Sequence, residues 1–266
     1  MNKSQIEKIV VSTIGNIGEI GPYHSDIEGK TAKGGIRGPF AREQLKPKDV
    51  PTYPILWAHD AERERTLSFE ADFQGFPLKG KTPAEKELVD KRVASVWATA
   101  SHCHFNQNFQ FNSQATGMQF TKRHTIGGRA WISVKLASAE QEKALVVWAN
   151  SSLGLLLHWW HANKQQRGRG NIGKEALQSL PVIDVRALTA KQLKTAAALF
   201  DALSSKLLLP FHEIDRDSVR AELDEKFARD VLGLAKPVYA AGGPLELLRM
   251  KLAQEPSIRG SKEDSD

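Results

Sequence analysis

The sequence predicts an α+β protein, on three observations. Residues 1–80 are punctuated by glycine and proline around short β-prone runs. The middle of the chain alternates strand-like stretches with helices that carry capping signals. Beyond Pro181 only helical patterns follow. The expected organisation is one α+β domain over 1–185, a helical C-terminal region over 186–254 and a disordered tail over 255–266, which closes on SKEDSD.

Taken in order, the β-prone runs of the first part are Ile9 to Val11, Tyr53 to Trp57 and Thr66 to Phe69, set between Gly21-Pro22, Gly34-Gly35 and Gly38-Pro39. A helix is expected from Pro83 to about Ala100. Pro83 suits its first turn, and Leu88, Val93, Val96 and Trp97 recur at near-helical spacing. Strands are expected at Phe105 to Phe111, Gly117 to Phe120 and Ala130 to Leu136, with Gly127-Gly128 as a turn. Ser138-Ala-Glu-Gln141 matches a capping box and opens a helix through Trp148. Asn150-Ser151-Ser152 interrupts it, and Leu153 to Ala162 forms a second, mostly buried helix. A basic loop follows, then a short helix from Lys174 stopped by Pro181. Thr189-Ala-Lys-Gln192 is another capping box, for a helix to about Leu208. Asp215 to Leu232 reads as an amphipathic helix ended by Gly233, and Pro244 to Ala253 as a shorter one.

Charge is distributed unevenly. The chain carries 37 Lys and Arg against 31 Asp and Glu, a net charge of +6. Between Ser101 and Leu180 lie nine basic residues and three acidic ones, so this window accounts for the whole excess. A polyanionic partner should meet the protein here. A single cysteine, Cys103, excludes an internal disulfide and a multi-cysteine zinc site. The apolar stretch around Leu153 to Trp160 is too short to span a bilayer, and the first residues lack the apolar core of a secretion signal. A cytoplasmic protein without a membrane partner is expected.

Cofactor and catalytic motifs are sparse. Gly15, Gly18 and Gly21 are spaced G-x-x-G-x-x-G, which lacks the tight G-x-G turn of a dinucleotide site. No cofactor is expected. His102, His104 and His124 could form a metal-dependent nuclease centre, since His102 and His104 share one face of a strand. Asp224-Glu225-Lys226 has the letters of a nuclease motif but sits in a helical pattern, and Cys103 has the surroundings of a packed thiol.

The basic and amide-rich window carries more. Phe105, Phe109 and Phe111 alternate with Asn106, Gln110 and Asn112, and Gln114 follows. Amides and guanidinium groups are the side chains that pair bidentately with base edges, while cations and glycine-rich backbone hold phosphates. The expected DNA contacts are Lys122, Arg123, Arg129, Lys164, Arg167, Arg169 and Lys174, with Asn106, Asn112 and Gln114 as further candidates. The tryptophans Trp131, Trp148, Trp159 and Trp160 are assigned to packing.

The stretches HFNQNFQFNSQATGMQFTKRHTIGGRAWISV and ALVVWANSSLGLLLHWWHANKQQRGRGNIGKEALQSLPVIDV, in that order, resemble the C-terminal target-recognition region of bacterial N6-adenine DNA methyltransferases of restriction–modification and phage-defence systems. The family's helix junction corresponds to Trp148 through Gly154, its basic loop to Arg167 through Gly170, and its closing L-x-x-L-P to Leu177 through Pro181. The segment LPFHEIDRDSVRAELDEKFARDVLGL is similar to the helical tail that follows, so the resemblance covers residues 100–235. It implies a sequence-specificity module for double-stranded DNA. The family's glycine-rich S-adenosylmethionine motif and its (N/D)-P-P-(Y/F) motif are missing from this sequence. The resemblance therefore implies no catalysis by this chain alone and a methyltransferase or restriction subunit as partner. Two other readings stand beside it: the histidine-based nuclease, and a scaffold of a defence complex whose basic surface meets an acidic protein.

Overall fold

The computed structural model describes residues 9–46, 48–60 and 62–260. It has the expected α+β character: one mixed sheet, two small two-stranded sheets, and helices packed on and around them.

The main sheet is built from β2 (Glu19–Ile20), β3 (Phe40–Gln44), β4 (Pro54–Leu56), β5 (Ser68–Phe69), β6 (Phe73–Pro77), β7 (Ser101–Asn106), β8 (Met118–Gly127) and β9 (Trp131–Lys135). The order runs β2-β9-β7-β8-β4-β6-β3. Strand β8 is the spine: β7 pairs with one edge, while β5 and β4 share the other as its parallel neighbours. All other pairings are antiparallel. Outside the main sheet, β1 (Val11–Thr13) lies against Pro181–Ile183, which ties the start of the chain to its last third.

Of the expected helices, the one over Pro83–Ala98 (α3) starts as Pro83 suggested, with the Thr82 side chain accepting from the Glu85 amide. Its buried face differs by one residue from the expected one. Val89 is 1% exposed and packs with Val93 and Val96, whereas Leu88 is 40% exposed. The short helices Ile14–Ile17 and His24–Ile27 (α1 and α2) precede it. The Ser138 helix, α4, spans Ala139–Asn150, and α5 follows at Ser152–His161. Their junction is closed by Gly154, where a Cβ would come within 2.1 Å of the Trp148 carbonyl. Asn150 extends the joint: its Oδ1 accepts from the Gly117 amide and its Nδ2 donates to the Met118 and Val146 carbonyls.

After the short helix Lys174–Gln178 (α6), the helical region begins with α7 (Ala190–Leu203), which carries a complete reciprocal capping box between Thr189 and Gln192. The expected helix from Asp215 is shorter, Ser218–Lys226 (α8), and runs into one π-helical turn at Phe227–Val231. Pro244–Gln254 (α9) follows. Within the expected disordered tail, Pro256–Arg259 is instead a turn of helix (α10), and Ile258 is fully buried in the main core. Residues 261–266 lie outside the described residues.

The main core runs from Ile14 to Ile258 and includes Leu145, Leu155, Leu199, Phe211 and Leu223, so apolar packing crosses the 185/186 boundary without a break. A second cluster joins α3 to the β3–β4–β6 part of the sheet through Ile27, Phe40, Ile55 and Val93. Among the described residues no helix is long and apolar enough to cross a membrane.

Candidate nucleic-acid interface

The basic loop is a β-hairpin. Asn163–Gln165 (β10) pairs with Arg169–Asn171 (β11), register Gln165 to Arg169. At its tip Arg167 has φ 65°, in the left-handed region that any Cβ disfavours, and Gly168 follows at φ 72°. The tip is held from the side by residues 107–111. The Gln107 and Phe109 carbonyls accept from Ile172 and Gly170, the Phe111 amide donates to the Gly168 carbonyl, and Gln110 Nε2 donates to the Arg167 carbonyl at 2.8 Å. Gly170 is required by close approach, since a Cβ there would meet the Phe111 ring at 2.5 Å. The segment 107–111 thus runs beside β11 without forming the expected strand, because β7 ends at Asn106.

Beneath it lies a buried polar layer. Gln114 Oε1 accepts from the Gln110 amide at 2.7 Å and from Asn106 Nδ2 at 3.2 Å, while its Nε2 donates to Glu64 at 2.8 Å. Glu64 also accepts from the Asp60 amide and lies 3.1 Å from the His59 ring. Asn106 is 0% exposed and Gln114 3%, so both expected DNA contacts are corrected: their amides are used up inside the fold. Asn112 is half-buried. Its Oδ1 accepts from Gln110 and its Nδ2 reaches the Arg259 carbonyl, which makes it a latch between the loop and α10.

Above this layer opens a cleft of about 710 Å³, where three arginines from distant segments meet: Arg42 on β3, Arg129 in the turn between β8 and β9, and Arg169 on β11. The Arg42 guanidinium lies 4.2 Å from the Trp57 ring centre and 4.7 Å from that of Phe73, and its Nε donates to Glu28. Arg129 follows Gly128, which packs on Trp57 too closely for any Cβ. Arg129 and Arg169 are both exposed and have no carboxylate partner among the described residues. No carboxylate lines the cleft among them either.

The other expected cations are distributed elsewhere. Lys164 shares the hairpin and rests 4.5 Å over Trp159. Arg167 sits exposed at the tip. Lys122 and Arg123 line a separate groove that also contains Asp49, Glu70 and Asp72, and Lys122 pairs with Glu70 at 3.2 Å. Lys174 lies beside Tyr23 at a third groove that holds Glu19 and Asp26. The structure therefore gathers Arg129 and Arg169 in one cleft and separates Lys122, Arg123 and Lys174 from it.

Sequence reading missed Arg42 and Gln110 as members of this cleft. Gln110 stood inside the amide-rich run and could have been found there. Arg42 carried no signal, because it arrives by the pairing of β3 with β6.

The histidine centre does not assemble. His104 is buried, its Nε2 near Thr121, and burial pushes it down to about 3. The His102 ring stacks on Phe120 and meets the edge of His124, which burial and His102 hold below the ordinary histidine value. Among the described residues no group of three His, Cys, Asp or Glu could hold a metal ion. Asp224 is buried and accepts from Ser152 and Arg249, while Glu225 and Lys226 pair with Arg229 and Glu222. Burial, with Glu142 nearby, pushes the Cys103 thiol up and leaves it unreactive.

No protein-family description and no curated protein sequence matches the chain. In fold it is similar to the type IIG restriction endonuclease BpuSI, with a TM-score of 0.57 at 11% identity; the match covers 99% of this chain and 33% of that one. The chain thus spans a third of the length of that enzyme, and the likeness is one of fold.

Proposed function

We propose that the chain is a DNA-recognition module of a restriction–modification type system that takes double-stranded DNA across the arginine cleft and the adjoining hairpin. The observation that carries this reading is the meeting of Arg129 and Arg169 without a carboxylate partner among the described residues. A guanidinium inside a protein network is normally paired; two left open in one concavity suit an anionic, edge-bearing ligand. The fold likeness to a restriction endonuclease supports the same reading. Arg129 at the cleft and Lys164 and Arg167 on the hairpin neutralise phosphates. Methyl transfer or strand cleavage, with any S-adenosylmethionine, belongs to a separate catalytic component.

The test is a salt-titrated mobility-shift assay with duplex DNA. Each lost phosphate contact makes the plot of log affinity against log salt shallower by about 0.9. Arg129→Ala/Arg167→Ala should therefore flatten the slope by roughly 1.8. No retarded complex of the unmodified chain at low salt, or the same slope in the variant, overturns the reading.

A further inference from the structure

We propose that Arg169 reads a guanine edge and that Gln110 is the positioning residue that sets its guanidinium plane. The inference rests on the DNA reading above and deepens it.

Arginine offers five N–H donors in a rigid fork. In Arg169 the inner donor is fixed: Nε donates to Gln110 Oε1 at 2.8 Å. Gln110 has no freedom to turn away. Its Nε2 donates to Asn112 Oδ1 at 2.6 Å and to the Arg167 carbonyl at 2.8 Å, so its Oε1 must face Arg169. Its own amide is held by Gln114, and its backbone bridges to Arg169. Gln114 in turn is anchored on buried Glu64. A relay of side chains thus runs from the protein interior to one exposed guanidinium. The terminal Nη groups of Arg169 have no acceptor among the described residues, and Arg169 lines the cleft.

A phosphate accepts an arginine from many directions, and charge alone serves it. A fixed plane matters when the acceptors are themselves coplanar, as are O6 and N7 of guanine in the major groove. Locking Nε and leaving the outer pair of donors free presents the fork that such an edge requires. Among the described residues no side-chain hydrogen bond holds the charged group of Arg129, Lys164 or Arg167, although Lys164 rests over Trp159, and this distinguishes Arg169 from the phosphate contacts.

The test selects preferred duplexes from a randomised library with the whole chain, then compares affinities for single base-pair changes in the selected site. Arg169→Lys keeps the charge and abolishes the fork. At one G·C position it should reduce discrimination by roughly ten- to a hundredfold while leaving the salt slope in place. Gln110→Leu should weaken discrimination at the same position. If Arg169→Lys preserves the full preference, or if the chain binds DNA with no base preference at all, the inference is overturned and the DNA reading survives. If the unmodified chain binds no DNA, both fall.

Discussion

Two neighbouring regions use the same residue types in opposite ways. The layer around Asn106, Gln114 and Glu64 is polar and buried, and its groups are spent on one another; Arg220 is enclosed nearby. Arg220, fully buried, donates to the Asn150 and Ala115 carbonyls and pairs with Asp217 at 3.4 Å. The cleft directly above is polar and open, with Arg129 and Arg169 left without counter-charge among the described residues. The inner layer is a scaffold whose worth is rigidity; the outer one is a surface whose worth is availability. An amide or a guanidinium in the sequence does not announce which of these it will be. Its satisfaction inside the fold does.

The comparison breaks most readily with acid. His104 and His158 are both buried and held neutral down to about 3, chiefly by loss of hydration. His158 is boxed by Phe105 at 4.6 Å and Phe109 at 5.0 Å. As pH falls below 6.5 the unfolded chain binds protons at these sites and the folded chain does not, so stability drops by about 1.4 kcal/mol per pH unit for each. Between pH 7 and pH 5 the loss should be about 4 kcal/mol in urea unfolding. Asp224, whose carboxyl burial pushes up, works against this at the acid end. The His158→Leu variant should show half the slope. A flat profile over this range would remove the buried neutral histidines from the account.

Next in size is the scaffold itself. Arg220→Ala removes the cation facing buried Asp217, which keeps only the Leu209 and residue-220 amides, and takes the donor from two interior carbonyls; it should cost about 3–5 kcal/mol by urea unfolding. A cost under 1 kcal/mol would mean that the inner layer is wet and adaptable.

A paired substitution sharpens the contrast between layers. Asn106→Ala should destabilise by about 1–3 kcal/mol, because Gln114 and the Thr116 carbonyl lose a donor. Arg129→Ala should change stability by no more than about 0.5 kcal/mol and yet weaken DNA binding in a mobility-shift titration. Equal stability costs would erase the distinction between the regions.

The smallest effect concerns Arg167. Glycine adopts its left-handed backbone without strain, so Arg167→Gly should raise stability by about 0.5–1 kcal/mol in thermal unfolding. The same variant should bind DNA more weakly. Stability lost instead would place the Arg167 side chain among the contacts that hold the hairpin.

Local chemistry was the legible part. Thr189 with Gln192, Ser138 as a cap and Pro83 in a first turn are decided by neighbours a few residues away, and each is found where the sequence put it; the turn expected at Gly127-Gly128 comes slightly later, because Gly127 is the last residue of β8 and pairs with Leu56. The Ser138 box is only half made, since Gln141 does not reach back. Pairings across long separations were not legible. Strand β3 finds β6 over a gap that no periodicity records, and with it comes Arg42. Phe109 and Phe111 alternated like strand residues, yet both are buried together under the hairpin with Phe211, so alternation there reflected a packed loop. For the interface, the cations of the hairpin were visible as charge, whereas the burial of Asn106 and Gln114 depended on Glu64, an acid outside the basic window.

The turn at Pro256–Arg259 has a practical corollary. Ile258 is seated in the core, Asn112 grips the Arg259 carbonyl, and Gly260 passes too near the Arg167 backbone to tolerate a Cβ. A recombinant version trimmed after Gln254 would lose Ile258 from the core. It would also unfasten the clasp on the hairpin, and a binding assay on such a shortened protein would underestimate what the whole chain can hold.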